Sequence, residues 1–486
     1  MPISLPSYNL LGLHADFVSV EVEVAKGMPR FSITGMASTS IREAKDRLRS
    51  AIEHSGYRFP MTRKVIHLAP AESPKRGSHF DLAMAVGLLR ASGQIPEIPE
   101  LTMVVGELGL EGGVRAVTGL LPGLMQAKEK GVKRVILPYA NHAEASLIEG
   151  LELFPIKSLG DALAVLRGES TQSVAPNKVS LTTYPWSLDD ISGHSHAKRA
   201  LVLAAAGGHH VLMHGPPGTG KSLLARAFPS LLPPLPQWEN LEVRQIYSVA
   251  GENLDYVRPF RKVHHSVSRA QLLGGGTQGR PGELSLAHKG VLYLDELPEF
   301  KREVLESLRQ PLEDGEYVLN RQQRSLHFPS QFQLIASMNP CPCGYYGDPQ
   351  HPCHCLPHEM ARYQKKLSGP LMDRIDIFIP IPRLNFHELH QEKSPQIQNL
   401  GRLVQAAHAR QWERQGKLNH HLTGKEIKGL SLPENLQKLL LAATDRLGLS
   451  GRAVHKSIKL ALTIADLQNR AVNEGDVGEA LTYRNY

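Results

Sequence analysis

The sequence predicts an α/β protein in which a parallel sheet carries a phosphate-binding loop, with an α+β region before it and a helical region after it. Three stretches carry that expectation. "HHVLMHGPPGTGKSLLARAF" sets a G-x-x-x-x-G-K-[ST] run between an apolar strand and an apolar helix, the context that motif requires. "GVLYLDELPEF" is a short apolar run ending in two acids, and "FQLIASMNP" is another, ending in Asn339. Such runs suit strands buried on both faces of a parallel sheet.

The elements follow in chain order. Residues 1–165 mix strand and helix: "FVSVEVEVAKG" alternates with period two, and "SIREAKDRLRSAIEHSG" has helical spacing and a Gly stop. The helix-like "LLPGLMQAKEKG" leads into "VKRVILPYAN", a buried strand. Residues 166–186 are polar with scattered Pro and Gly and read as a linker. The phosphate-loop core spans 187–385, and a largely helical region spans 386–486. At 486 residues each of two or three domains can bury its own core.

Composition narrows the class. With 41% hydrophobic and 21% charged residues, the chain reads as an ordinary soluble globular protein. No signal-peptide pattern opens it and no apolar stretch reaches about 18 residues, so the cytoplasm is expected and a membrane is not. A net charge of +8 suits a polyanionic partner, and equally a mildly basic surface with none.

In the phosphate loop, Gly215, Pro216, Pro217, Gly218, Thr219 and Gly220 let backbone N–H groups curl around phosphate oxygens. Lys221 supplies a charge to the outer phosphates and Ser222 a hydroxyl for Mg²⁺, so ATP and Mg²⁺ are the expected ligands. Asp295 and Glu296 emerge at the carboxyl end of a strand, where ligands bind in such sheets. Asp295 would hold Mg²⁺ through water and Glu296 would polarise the attacking water. The Asn339 amide could orient that water; in isolation, Asn before Pro is a turn and paired acids a solvated loop.

"GGGTQGRPGELSLAHKGVLYLDELPEF", "SMNPCPCGYYGD" and "LSGPLMDRIDIFIPIP" together resemble the magnesium-chelatase-like AAA+ ATPases of the ComM/YifB family, over nearly the whole chain. The resemblance implies an AAA+ core with a C-terminal helical lid, and an ATP-driven homo-oligomeric ring, usually hexameric. Such rings move on DNA and promote branch migration; ComM members act in natural transformation. It also implies that Arg374, in "LMDRID", is an arginine finger reaching a neighbouring subunit's site. Arg452, in "LSGRAVHKSIKLALTIADL", would be a second sensor touching the nucleotide from within its own subunit. In this clade a hairpin before the Asn-bearing strand points into the ring channel, and "GEYVLNRQQRSLHFP" with Arg321 and Arg324 matches it. The adjacent "LGGGTQGRPGE", with Arg280, resembles the insertion beside it. Phosphate contacts from these arginines would hold DNA without reading sequence. Alternatively they are exposed polar turns.

All four cysteines, Cys341, Cys343, Cys353 and Cys355, lie in "ASMNPCPCGYYGDPQHPCHC". Their C-x-C pairs, nine residues apart, suit a structural Zn²⁺ site, with His351, His354 or His358 able to replace a thiol. Free thiols, a redox disulfide and an iron–sulfur cluster are the alternatives.

Residues 1–165 resemble the proteolytic domain of Lon-type proteases through "APAESPKRGSHFDLAMAVGLL" and "GELGLEGGVRAVTGLLPGLMQAKEKGVKRVILP". Those enzymes use a Ser–Lys dyad. Here His79 stands at the nucleophile's place, with Ser78 one residue earlier, and Leu121 at the lysine's, so peptide hydrolysis is not expected. Arg63, Lys64, Lys133 and Arg134 make a basic edge there and nothing sharper. The leading reading is a DNA-translocating branch-migration motor. A chelatase-type motor powering metal insertion, an ATP-dependent protease and a nucleotide-controlled binding module are the competitors.

Overall fold

Five parallel strands form the central sheet, in the order Phe260–Val263, Val291–Leu294, Gln333–Met338, Val211–His214 and Ile377–Pro380. The computed structural model describes residues 2–169, 184–276, 279–321, 324–385, 400–430 and 432–484. Most of the expected linker at 166–186 lies outside these.

Because side chains alternate across a strand, the apolar runs cover both faces of the sheet. Val211, Met213, Val291, Ile335 and Ile377 join one core, which the helices Ser195–Gly207, Leu400–Gln415 and Gly451–Leu467 close. Leu212, Leu292, Leu334 and Phe378 join the other core, shared with the helix Gln237–Ala250. The helical lid packs on the first face. It also holds the helices Glu434–Leu447 and Glu474–Thr482. The expected AAA+ architecture of a parallel α/β core with a C-terminal helical region is what the chain adopts.

The N-terminal region has a four-stranded sheet, ordered Ile3–Leu11, His14–Ala25, Arg63–Ala69 and Arg30–Thr34, and a parallel three-stranded sheet. It meets the core's second face directly. The tip of its first hairpin places Leu13 in that apolar cluster, and the Gln245 amide donates to the Leu13 carbonyl at 2.7 Å. At the start of the helix Leu120–Glu129, the Gly119 N–H donates to the Ser248 carbonyl at 2.8 Å.

Candidate nucleotide site and cysteine loop

The strand Val211–His214 ends where the phosphate loop starts, and the loop ends on the helix Lys221–Ala227. Gly220, which precedes that helix, sits at φ +88°, a left-handed conformation cheap only for glycine. The Thr219 hydroxyl closes the loop by donating to the Pro216 carbonyl at 2.9 Å. The Lys221 ammonium donates to the carbonyls of Gly215 (2.6 Å) and Pro216 (2.7 Å) and to Asn339 Oδ1 (3.3 Å). The lysine therefore already spans the loop and the Asn-bearing strand. Burial pulls it down to about 8, against the pull of the Asp295 and Glu296 charges.

Asp295 is held from two strands and a helix. Its Oδ1 accepts from Ser337 Oγ at 2.6 Å, while its Oδ2 accepts from Ser222 Oγ at 3.3 Å and pairs with Lys262 Nζ at 3.2 Å. The Tyr293 hydroxyl bridges Ser222 and Ser337 at 3.1 and 3.2 Å. Burial alone would raise the Asp295 carboxyl, but hydrogen bonds from Ser337, Tyr293 and Lys262 outweigh it and hold it below the usual range. Ser222 and ionised Asp295 thus offer hard oxygen donors side by side, a donor set that fits Mg²⁺. Glu296 is exposed and sits at φ +56°, unusual for a non-glycine residue, with His265 Nδ1 3.5 Å from its Oε2.

Sequence reasoning missed Lys262, Tyr293 and Ser337. A signal for Ser337 was present: it lies two residues before Asn339 on one strand and so shares its face. Lys262 becomes part of the site only through the pairing of Phe260–Val263 with Val291–Leu294.

The cysteine loop leaves the end of the Asn-bearing strand and brings the four thiols together, every Sγ within 4.8 Å of the others. The Cys341–Cys343, Cys341–Cys353 and Cys343–Cys353 sulfurs are 3.3, 3.6 and 3.6 Å apart. A disulfide needs about 2.05 Å, and a tetrahedron of Zn–S bonds near 2.3 Å gives edges of about 3.8 Å. Backbone N–H groups of Cys343 and Tyr346 donate to Cys355 Sγ (3.4 Å) and Cys341 Sγ (3.3 Å), fixing the two sulfurs in the group. His351, His354 and His358 are not in this group; His351 Nδ1 faces Asp348 instead, at 3.8 Å. The loop also touches the phosphate loop. Gly344 has φ +87°, and a Cβ there would lie 2.9 Å from the Pro217 ring.

Arg374 follows the short helix Gly369–Met372 and is turned towards its own subunit: Nη1 donates to the Pro370 carbonyl at 2.7 Å and Nη2 to the Glu313 carboxylate. Arg452 lies in the first turn of the helix Gly451–Leu467. Both line a cavity of about 840 Å³ that none of Gly215–Ser222 lines. Arg452 and Arg374 thus line one cavity.

The expected hairpin forms, Glu316–Arg321 against Arg324–Pro329, with Arg321 and Arg324 opposite each other at its tip; their side chains lie outside the described residues. Arg280 is exposed on a two-residue strand paired with Gly274–Gly275. In the N-terminal region, His79 is buried, stacked on Tyr8 at 4.4 Å, and its Nε2 donates to the Tyr8 carbonyl at 2.7 Å. Leu121 is wholly buried. The Ser78 hydroxyl donates to the Glu107 carboxylate, and the Lys75 ammonium donates to the Pro70 carbonyl. The Ser78 hydroxyl and the Lys75 ammonium are thus engaged with separate partners.

Three family profiles match along the chain: magnesium chelatase subunit ChlI at residues 187–389, subunit ChlI of Mg-chelatase at 20–141, and the ChlI C-terminal profile at 392–484. Competence protein ComM of Haemophilus influenzae is 39% identical over 493 residues, covering 98% of this chain and 96% of the relative. The chain belongs to the ComM/YifB family. The protein YifB of Escherichia coli is 39% identical over 488 residues, covering 98% and 95%. This ComM/YifB chain also shares 35% identity over 95 residues with Lon protease 2 of Bacillus subtilis, 19% of the chain and 17% of that protease. The Lon likeness in the N-terminal region thus stands without the residues of a dyad.

Proposed function

We propose that this ComM/YifB-family chain is an ATPase that drives a ring, six subunits in the family's usual form, along DNA and moves branches in recombination intermediates during uptake of transforming DNA. The observation that carries the reading is the convergence of Lys221, Ser222, Asp295, Glu296 and Asn339 at neighbouring strand ends, with Arg374 and Arg452 gathered at a separate cavity. The first group can bind and orient a triphosphate but includes no arginine for the charge that develops on the transferring phosphoryl group. A neighbouring subunit presenting the Arg374 face would supply one. The competence relative and the channel-type hairpin support DNA as the track.

In this mechanism Lys221 leaves the Gly215 and Pro216 carbonyls for the outer phosphates, and Asn339, released from Lys221, orients the attacking water. Glu296 takes a proton from that water. Ser222, and Asp295 through water, would hold Mg²⁺, which would supply positive charge to the phosphate oxygens. Ser337, Tyr293 and Lys262 keep Asp295 ionised and aimed at Ser222. The four cysteines would hold Zn²⁺, bracing the loop that backs Pro217. Arg374 leaves Glu313 to reach across the subunit boundary, accompanied by Arg452. Arg280, Arg321 and Arg324 contact DNA phosphates.

The test is ATP hydrolysis with and without forked DNA, beside movement of a labelled Holliday junction. Wild type is expected to hydrolyse faster with DNA and to move the junction; Lys221→Ala is expected to do neither. Hydrolysis indifferent to any DNA would reject the motor reading.

A further inference from the structure

Behind His210, His420 and Lys456, which line the arginine cavity, lies a fully buried carboxylate, Asp376, two residues after Arg374. Its Oδ2 accepts the His210 backbone N–H at 3.0 Å and the His420 Nδ1–H at 2.7 Å, and its Oδ1 pairs with Lys456 Nζ at 2.8 Å. His209 Nδ1 stands 3.7 Å away. His209, Asp376 and His420 are close enough to chelate a cation, but the Lys456 ammonium already neutralises the carboxylate and Lys459 is anchored alongside, on the His420 carbonyl at 2.6 Å. Two ammonium groups beside three would-be ligands repel a divalent ion. The cluster is a clamp.

What it clamps is informative. Lys456 lies four residues after Arg452 on one helix, hence on the same face, and Asp376 lies two residues after Arg374. The Asp376–Lys456 pair therefore ties the segment bearing one arginine to the helix bearing the other. A second tie runs parallel to it: Arg484 donates to the carbonyls of Ile375 and Asp376 at 2.8 and 3.1 Å. Removing one partner of a buried pair leaves the other charge uncompensated, so the two segments separate or tilt when the pair is broken.

We infer that Asp376 and Lys456 are positioning residues that lock Arg374 and Arg452 into one rigid unit, so that lid and finger engage the adjoining subunit's nucleotide together. The inference rests on the shared-site reading above. Neither residue touches nucleotide; each acts through the arginines.

The test is a double-mutant cycle on the full-length protein in the presence of ATP and Mg²⁺. Lys456→Met is expected to lower kcat at least tenfold while KM for ATP changes less than twofold, and Lys456→Arg to recover much of the loss. Arg374→Ala with Lys456→Met is expected to be no slower than Arg374→Ala alone, because a misplaced arginine and a missing one fail alike. Should Lys456→Met fail to fold, the isosteric Asp376→Asn carries the same expectations. A normal kcat for folded Lys456→Met, or a multiplicative loss in the double variant, overturns the inference while leaving the shared site standing. A normal kcat for Arg374→Ala overturns the shared site and the inference with it.

Discussion

At Gly215–Ser222 the reactive side chains Lys221 and Ser222 stand partly exposed where three strands end; in the N-terminal region His79 and Leu121, at the positions matched to a dyad, are buried. Lys221 can leave two loop carbonyls for a ligand, whereas His79 is stacked on Tyr8 and bonded to its carbonyl. The first loop has a hydroxyl beside an ionised acid, the donor pair a metal–phosphate ligand needs. In the second, the hydroxyl of Ser78 faces Glu107 and the place of the lysine is filled by buried Leu121. The N-terminal region instead packs on the core through Leu13 and Gly119. Likeness of fold and possession of a site are separable, and here one chain displays both cases.

The comparison can be broken most severely at Lys221. Lys221→Ala is expected to lower ATP hydrolysis by roughly 10²–10³-fold, measured as phosphate release, whereas Ser78→Ala should leave it unchanged. A smaller effect follows from the cysteine loop. Metal analysis is expected to find about one zinc per chain. Cys353→Ser should lose the metal and slow hydrolysis by roughly tenfold, because the loop backs Pro217.

The buried His79 gives a pH signature to the N-terminal region. Burial drives its imidazole down to about 4, so the folded state favours the neutral ring more than the unfolded chain does. Its contribution to stability is present above about pH 6.5 and is lost as the pH falls towards 4, by about 3 kcal/mol in total. Chemical denaturation between pH 7 and 4 should reveal this slope, and His79→Phe should flatten it. The smallest effect is a null one: Leu121→Lys should not create casein digestion, since buried His79 stands where the resemblance places the nucleophile.

How much of this was legible in the sequence follows from distance along the chain. The phosphate loop, the Asp295–Glu296 pair and the cysteine window are each confined to a few residues, so local spacing carries their chemistry. The five-stranded core was readable from apolar runs, since both faces of its sheet are covered. Lys262 and the Asp376–Lys456 pair were not readable, because sheet order and lid docking bring together residues that are far apart in sequence.

The central claim is that one subunit's phosphate loop works with another subunit's arginines. Mixing Lys221→Ala with Arg374→Ala tests it most directly, each variant being inactive alone. The account predicts that the mixture regains hydrolysis, because an intact loop in one chain meets an intact Arg374 in the other. Mixed assemblies that remain as inactive as either variant at every ratio would contradict it.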